Sequence, residues 1–267
     1  MGRGIDNSIA DRLLFESRTI QHDTGFMFLK GHNGFRNGKI HTLLGVASGG
    51  KSTMLRSMVL DQLEYSGDFE TIGVWLSEES VDEFVTEFRK IGYEKPTDKL
   101  YITSELSKDL NPEQMLSNLE TTIVEEDISV LFIDNITTSK MYMDLPANVQ
   151  SDFIVSLKKI IKKYDVATIL VAHTGAQITN NINRLIDQND VRGGKGVVNL
   201  SEFFYILQSF HINNTIYPTL RLTKHRGQDI DHKLYRLRYH KQSSLYVQDL
   251  EIEFKELREA WKMRNHL

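Results

Sequence analysis

Cysteine is absent from the 267 residues, which excludes disulfides, thiolate metal sites and a cysteine nucleophile. No apolar run approaches the roughly 20 residues that span a bilayer. The N-terminal stretch MGRGIDNSIADRLLFESRT lacks the apolar core of a signal peptide. These absences predict a cytoplasmic protein with no membrane partner. A basic excess is missing too, since the net charge is −4 and the pI about 6.1. Coating DNA by charge alone is therefore excluded, and nucleic-acid contact would have to come from local loops. With four prolines, there is no Pro/Ser linker, and no repeat or low-complexity tract appears. What is present, 40% hydrophobic and 25% charged residues, suits the core of one globular domain over 1–267.

Along the chain, Ile5, Ile9, Leu13 and Leu14 recur at helical spacing and predict a leader helix over 5–18 within an N-terminal segment 1–24. Asn33-Gly34 and Asn37-Gly38 mark turns. Apolar runs predict strands at 40–46, 71–76, 100–103, 130–133 and 167–172, with helices at 52–65, 81–91, 111–126 and 149–164 between them. This alternation implies parallel βαβ units with right-handed crossovers. The segment 173–195, rich in Asn, Gln and Gly, breaks the rhythm, as functional loops do. Strands at 203–208, 216–223, 234–239 and 245–247 follow without helices between them, which predicts an antiparallel extension of the sheet. An amphipathic helix over 250–261, within a segment 249–267, is expected to close the chain by core packing.

Residues 45–52 read GVASGGKS, a G-x-x-x-x-G-K-S spacing between a strand and a helix. Successive backbone N–H groups can curl around a phosphate only where side chains do not intrude. The helix that follows points its positive end at the same place. Gly45, Ser48, Gly49, Gly50, Lys51, Ser52 and Thr53 are thus the candidate nucleotide-binding residues. Lys51 reaches the β- and γ-phosphates and Ser52 holds Mg²⁺. The plain alternative is a Gly-rich turn with a surface lysine.

Phosphoryl transfer also needs a carboxylate for hydrated Mg²⁺ and a group that polarises water. Asp134 ends the strand VLFI and is the candidate metal carboxylate. Glu78 and Glu79 follow the strand TIGVWL, at the sheet edge where ligands bind. Either could be the base, with Glu78 ahead; alternatively they serve a helix capping box begun by Ser77 or Ser80. Lys224 and Arg226, in TKHRGQD, lie two apart at a strand end and so share one side. They are candidate catalytic cations, or simply a solvated basic strand end.

GVASGGKS, WLSEES, VLFIDN and TKHRGQD, in that order, resemble the RecA-like ATPases, in the group of DnaB-type replicative helicases, RepA-type plasmid helicases and KaiC-like proteins. The resemblance spans roughly 25–248. SEES looks most like the paired glutamates of KaiC-like domains. VAHTGA places His173 at the family's sensor position, as RepA-type proteins do; the alternative is a core histidine. DVRGGKGVVNLSEFFYIL resembles the segment that follows the DNA-binding loop. The resemblance implies an α/β RecA-like P-loop NTPase fold: a mainly parallel twisted sheet flanked by helices, with an antiparallel C-terminal extension. It also implies ATP and Mg²⁺, a ring that is usually a homo-hexamer, and Lys224 and Arg226 acting in trans on a neighbour's nucleotide. Loops 135–148 and 175–191 would face the pore and grip single-stranded DNA, with Lys140, Asn180, Asn181 and Arg184 as candidate contacts. The leader helix would pack on its own domain or dock on the next subunit.

Two functions follow. One is a ring ATPase moving on single-stranded DNA as a replicative, plasmid or phage-type helicase with replication proteins as partners; the chain is then expected to be close to the bare motor. The other is a KaiC-like or recombination-accessory switch that uses ATP to change assembly or partner. The paired glutamates and weakly basic loops, with Tyr142 their lone aromatic, favour the switch. The intact lysine, serine and acidic residues speak against a decayed scaffold.

Overall fold

The computed structural model describes residues 21–22, 24–30, 34–65, 70–90, 98–104, 110–138, 140–175, 185–192, 195–212, 215–226, 234–240 and 245–252. In chain order, β1 (Gln21–His22), a one-turn α1 (Met27–Lys30) and β2 (Phe35–Arg36) precede the first long strand, β3 (Ile40–Gly45). Then come α2 (Lys51–Tyr65), β4 (Thr71–Leu76), α3 (Val81–Lys90), β5 (Leu100–Ser104), α4 (Pro112–Glu125) and β6 (Ile128–Asp134). A one-turn α5 (Lys140–Met143), α6 (Ala147–Lys163), β7 (Ala167–His173) and α7 (Lys195–Leu200) lead into β8 (Phe203–Ile212), β9 (Thr215–His225), β10 (Leu234–His240) and β11 (Leu245–Ile252).

β1 and β2 pair as a small ribbon, and the other nine strands form one sheet in the order β11-β10-β9-β8-β3-β7-β6-β4-β5. From β8 to β5 the neighbours run parallel, while β8 to β11 are antiparallel. The expected α/β sheet with its antiparallel C-terminal extension is thus the observed one.

Strands β3, β4, β6 and β7 are buried on both faces along almost their whole length, as parallel strands covered on both sides must be, while β5 at the sheet edge is half-buried. Leu43, Val74, Phe132 and Val171 face a core shared with Met54, Leu55 and Met58 of α2 and Phe84 of α3. Leu44, Trp75, Ile133 and Leu170 face the opposite core, with Leu119 and Ile123 of α4 and Ile154 and Leu157 of α6. α4 starts where Asn111-Pro112 predicts: Asn111 caps it in a reciprocal box with Gln114. The turns at Gly34 and Gly38 take left-handed backbones, with φ of 71° and 65°.

Two differences from the sequence reading have physical reasons. α7 contains Gly196, where an added Cβ would lie 3.2 Å from Ser151 Oγ of α6; close packing, which no local pattern announces, makes this helix. At the other end, 250–252 belong to β11 rather than to a closing helix, because Leu250 and Ile252 pair with Arg236 and Leu234 of β10. A cross-strand partner overrides a helical period read locally. The remainder of the expected closing helix and the leader helix over 5–18 fall outside the described residues, while residues 21 and 22 are strand.

β11 also bears on the glycine loop. The Tyr246 backbone N–H donates to Ser57 Oγ at 2.9 Å, and Ser57 Oγ donates to Thr53 O at 2.7 Å. The Tyr246 hydroxyl oxygen lies 2.6 Å from where a Cβ on Gly50 would sit, and Gly50 has φ +86°. Gly50→Ala thus meets both a clash and a left-handed penalty of about 1–2 kcal/mol. The variant is expected to melt earlier and bind ATP more weakly. Adding Tyr246→Phe should recover only the part due to the clash, as thermal melts and nucleotide titration would show.

Candidate functional site

The C-terminal ends of β3, β4, β6 and β7 converge on the loop 45–50, the edge at which open α/β sheets bind ligands. In the loop, the Gly49 N–H donates to Val46 O at 3.1 Å, and the Met54 N–H donates to Gly50 O at 2.9 Å as α2 begins. Ser48 takes φ 56° and Gly50 φ 86°, the sharp reversal that turns backbone N–H groups toward one point. At Gly45 a Cβ would press on Leu207 O at 2.9 Å. Ser52 and Thr53 occupy the first turn of α2. Lys51 is buried, and its Nζ donates to Val46 O at 2.7 Å. Burial pushes its pKa down to about 8, against the attraction of Asp134 and Glu78.

Asp134, at the end of β6, is buried and hydrogen-bonded to Ser52. Burial pushes its pKa up to about 6; the Ser52 bond, Lys51 and Arg56 oppose this, and Glu78 adds to it. Among the described residues no three His, Cys, Asp or Glu side chains gather as a metal cage. The Ser52 and Asp134 oxygens beside an excess of carboxylate nevertheless fit Mg²⁺, which takes one or two protein oxygens together with phosphates and water.

The two glutamates separate. Glu78 has a side chain 42% exposed, with Oε1 3.7 Å from His173 Nε2, and accepts from Asn135 Nδ2 at 3.0 Å. Glu79 instead forms an ion pair with Arg56 of α2. Burial raises the pKa of Glu79, against the pull of Arg56. The helix-start role falls to neither: Ser80 and Glu83 make the capping box, with Ser80 N–H to Glu83 Oε2 at 2.8 Å and Glu83 N–H to Ser80 Oγ at 3.2 Å. His173 ends β7, and burial, then the charge of Lys51, pushes its pKa down to about 4. It is a neutral imidazole at neutral pH.

Lys224 and Arg226 lie elsewhere. Phe203 pairs with His225 and with His41, so this strand end sits at the start of β3. Gly45 is four residues further along, about 13 Å away at 3.3 Å per residue. Lys224 Nζ donates to Val198 O of α7, while Arg226 lies 3.7 Å from Glu202 and is 56% exposed at its side chain. Glu202 is also held by Lys158 at 2.9 Å. His225 turns the other way and packs on the Phe203 ring at 4.4 Å.

Of the candidate DNA contacts, Lys140 lies in α5, and Asn180, Asn181 and Arg184 fall outside the described residues. Tyr142 is no platform for bases: it is buried and packs edge-on to Phe153 at 5.9 Å.

A family model described as an AAA domain matches residues 31–177, more than half of the chain and the part that carries the glycine loop, Glu78, Asp134 and His173. The chain belongs to this AAA-domain family. Its fold is that of the RecA-like P-loop ATPases. A KaiC-like protein from the hyperthermophilic archaeon Pyrococcus horikoshii superposes with a TM-score of 0.65 at 17% identity, over 88% of this chain and 99% of that one. No functionally curated protein matches the sequence. Among the described residues of this AAA-domain protein, no helix is long and apolar enough to cross a membrane.

Residues that the sequence reading passed over also shape the site. Arg56 lies four positions after Ser52, about one helical turn on, and Asn135 directly follows Asp134; both could have been suspected from spacing. Glu202 and Tyr246 carry no such signal.

The charge on Asp134 has a cost that can be measured. The folded state binds its proton more tightly than the unfolded chain, so ionisation lowers stability as pH rises from about 4 to about 6, and the cost persists above that. A shift of this size corresponds to on the order of 3 kcal/mol. Asp134→Asn is expected to unfold at higher urea than the parent at pH 7.5, without nucleotide or Mg²⁺, and to lose that advantage near pH 4.

Proposed function

We propose that the chain hydrolyses ATP as a switch whose turnover depends on assembly with further copies of itself. The observation that carries this reading is the division of the machinery between two ends of the sheet. Lys51, Asp134, Glu78 and His173 gather at one end, and Lys224 and Arg226 stand at the other, too far to reach their own loop. Cations so placed suit a neighbour's γ-phosphate. A ring, a homo-hexamer by resemblance, would bring them there.

In this reading the loop N–H groups and Lys51 bind the phosphates. Ser52 and Asp134 would hold Mg²⁺, which supplies charge neutralisation on the β- and γ-oxygens. Glu78 orients a water and takes its proton as the water attacks the γ-phosphorus and the bond to ADP breaks. His173, uncharged and close to Glu78, is suited to hydrogen-bond near the γ-phosphate. Glu79, paired with Arg56, supports the strand end rather than the reaction.

A motor on single-stranded DNA, the helicase reading, is the rival. It draws support from the Arg192 N–H, which donates to His173 O at 2.7 Å and ties the nucleotide site to the segment after the candidate loop. The charges favour the switch. In the sequence of 135–148 and 175–191, Lys140 and Arg184 stand against Asp144, Asp187 and Asp190. Binding a phosphate backbone needs an excess of cations.

Steady-state ATPase measured with and without single-stranded DNA separates the two: a rate indifferent to DNA is expected, and clear stimulation would favour the motor. Lys51→Ala should abolish most turnover. Glu78→Gln should keep ATP binding and lower kcat by about 100-fold or more, within the range for loss of a general base.

The trans placement makes a further prediction. Arg226→Ala and Lys51→Ala subunits, each slow alone, are expected to regain part of the parental rate when mixed. No recovery at any ratio would refute the placement.

A further inference from the structure

Asn135 and Thr137 are polar, 0% exposed, and given no part in the hydrolysis above. They form a one-way chain of hydrogen bonds into the site. The His173 backbone N–H donates to Thr137 Oγ1 at 2.9 Å. Thr137 Oγ1 donates to Asn135 Oδ1 at 3.2 Å. Asn135 Nδ2 donates to Glu78 Oε1 at 3.0 Å.

The direction of this chain matters. A backbone N–H can only donate, so the Thr137 oxygen accepts it and its single proton is available to the amide oxygen of Asn135. The Asn135 amide is thereby oriented with its NH₂ toward Glu78. The flipped amide would set an oxygen against a carboxylate.

The backbone on both sides is clamped as well. The Asn135 N–H donates to Ser77 Oγ at 3.0 Å, Ser77 Oγ donates to Asn135 O, and the Ser77 N–H donates to Asp134 O at 2.7 Å. Ser77 directly precedes Glu78, so the carboxylate and the amide that holds it share one rigid frame.

At its far end the chain meets the segment 185–192. Besides the Arg192 bond to His173 O, the Gly175 N–H donates to Asp190 O at 2.9 Å, and Thr174 bridges Val191. These bonds tie the end of β7, and with it the first donor of the chain, to that segment.

We propose that Asn135 and Thr137 are positioning residues that aim Glu78 at the attacking water, and that their aim is set from the end of β7. This rests on the reading of Glu78 as the group that polarises water. A free glutamate samples several rotamers, and misplacement by about 1 Å can cost 100-fold in rate. A fixed amide donor on Glu78 Oε1 restricts the rotation of the carboxylate and so fixes its aim.

The test is a double-mutant cycle on the full chain, using single-turnover hydrolysis at saturating Mg–ATP, with ATP affinity measured alongside. Thr137→Val replaces the hydroxyl by a methyl group of the same shape. It is expected to lower the rate about 10-fold with ATP affinity within about twofold, and Thr137→Ser should restore most of the rate. In the Glu78→Gln background the same Thr137→Val change should have almost no further effect, because residues acting through one group are not additive. Asn135→Ala should repeat the pattern and serves if the valine variant does not fold.

Equal losses in both backgrounds, or no loss in the parent, would overturn the relay while leaving Glu78 in place. A Glu78→Gln rate equal to the parent's would overturn the reading of Glu78 itself, and the relay with it.

Discussion

Burial of the Asp134 carboxylate against Ser52 is the constraint on which the site turns. It joins the end of a central strand to the first turn of the helix after the glycine loop. Taking a carboxylate out of water is unfavourable unless partners compensate, and here they do so only in part, which is why its pKa rises. Lys51 and Arg56 lie on the same side, and Glu78 and Glu79 add charge of the wrong sign. A divalent cation with its phosphates would balance this arrangement. The protein holds an electrostatically costly cluster in readiness for a ligand, at the expense of its own stability.

The fold supplies the stiffness this requires. Strands β3, β4, β6 and β7 are covered by apolar side chains on both faces, so their ends cannot shift independently. Short backbone bonds join them directly: Ser77 N–H to Asp134 O at 2.7 Å, and Thr174 N–H to Gly45 O at 3.2 Å. These joints adjoin Glu78, Asp134, His173 and the glycine loop. Lys224 and Arg226 sit at the far end of the same sheet, beside Glu202 and Lys158. That separation makes a lone subunit incomplete for the proposed reaction, and it is the physical basis for linking turnover to assembly.

Much of the site was legible because its chemistry is local. The GVASGGKS loop needs its glycines, lysine and serine at fixed spacing, and they can be read without a structure. Asp134 is legible for a similar reason: a carboxylate at the end of VLFI has an apolar run before it and a turn after it. The pair Glu78 and Glu79 was legible only as a pair. Their division depends on Arg56, which reaches Glu79 across 23 residues of sequence, and on Ser80 and Glu83 taking the capping role. α7 and the extension of β11 were missed because packing on Ser151 and pairing with β10 make them, and neither contact leaves a local period.

Sequence alone thus determined the βαβ order, the glycine loop between strand and helix, the carboxylate that ends VLFI and the antiparallel tail, since periodicity, glycine spacing and apolar runs act over a few residues. The tertiary structure decided which glutamate faces the site, where the two distant cations stand, that Tyr142 is buried, and that Asn135 and Thr137 lead to Glu78. Those outcomes are set by side chains that meet only when strands far apart in the chain lie side by side, at distances of about 3 Å where hydrogen bonds and charges act.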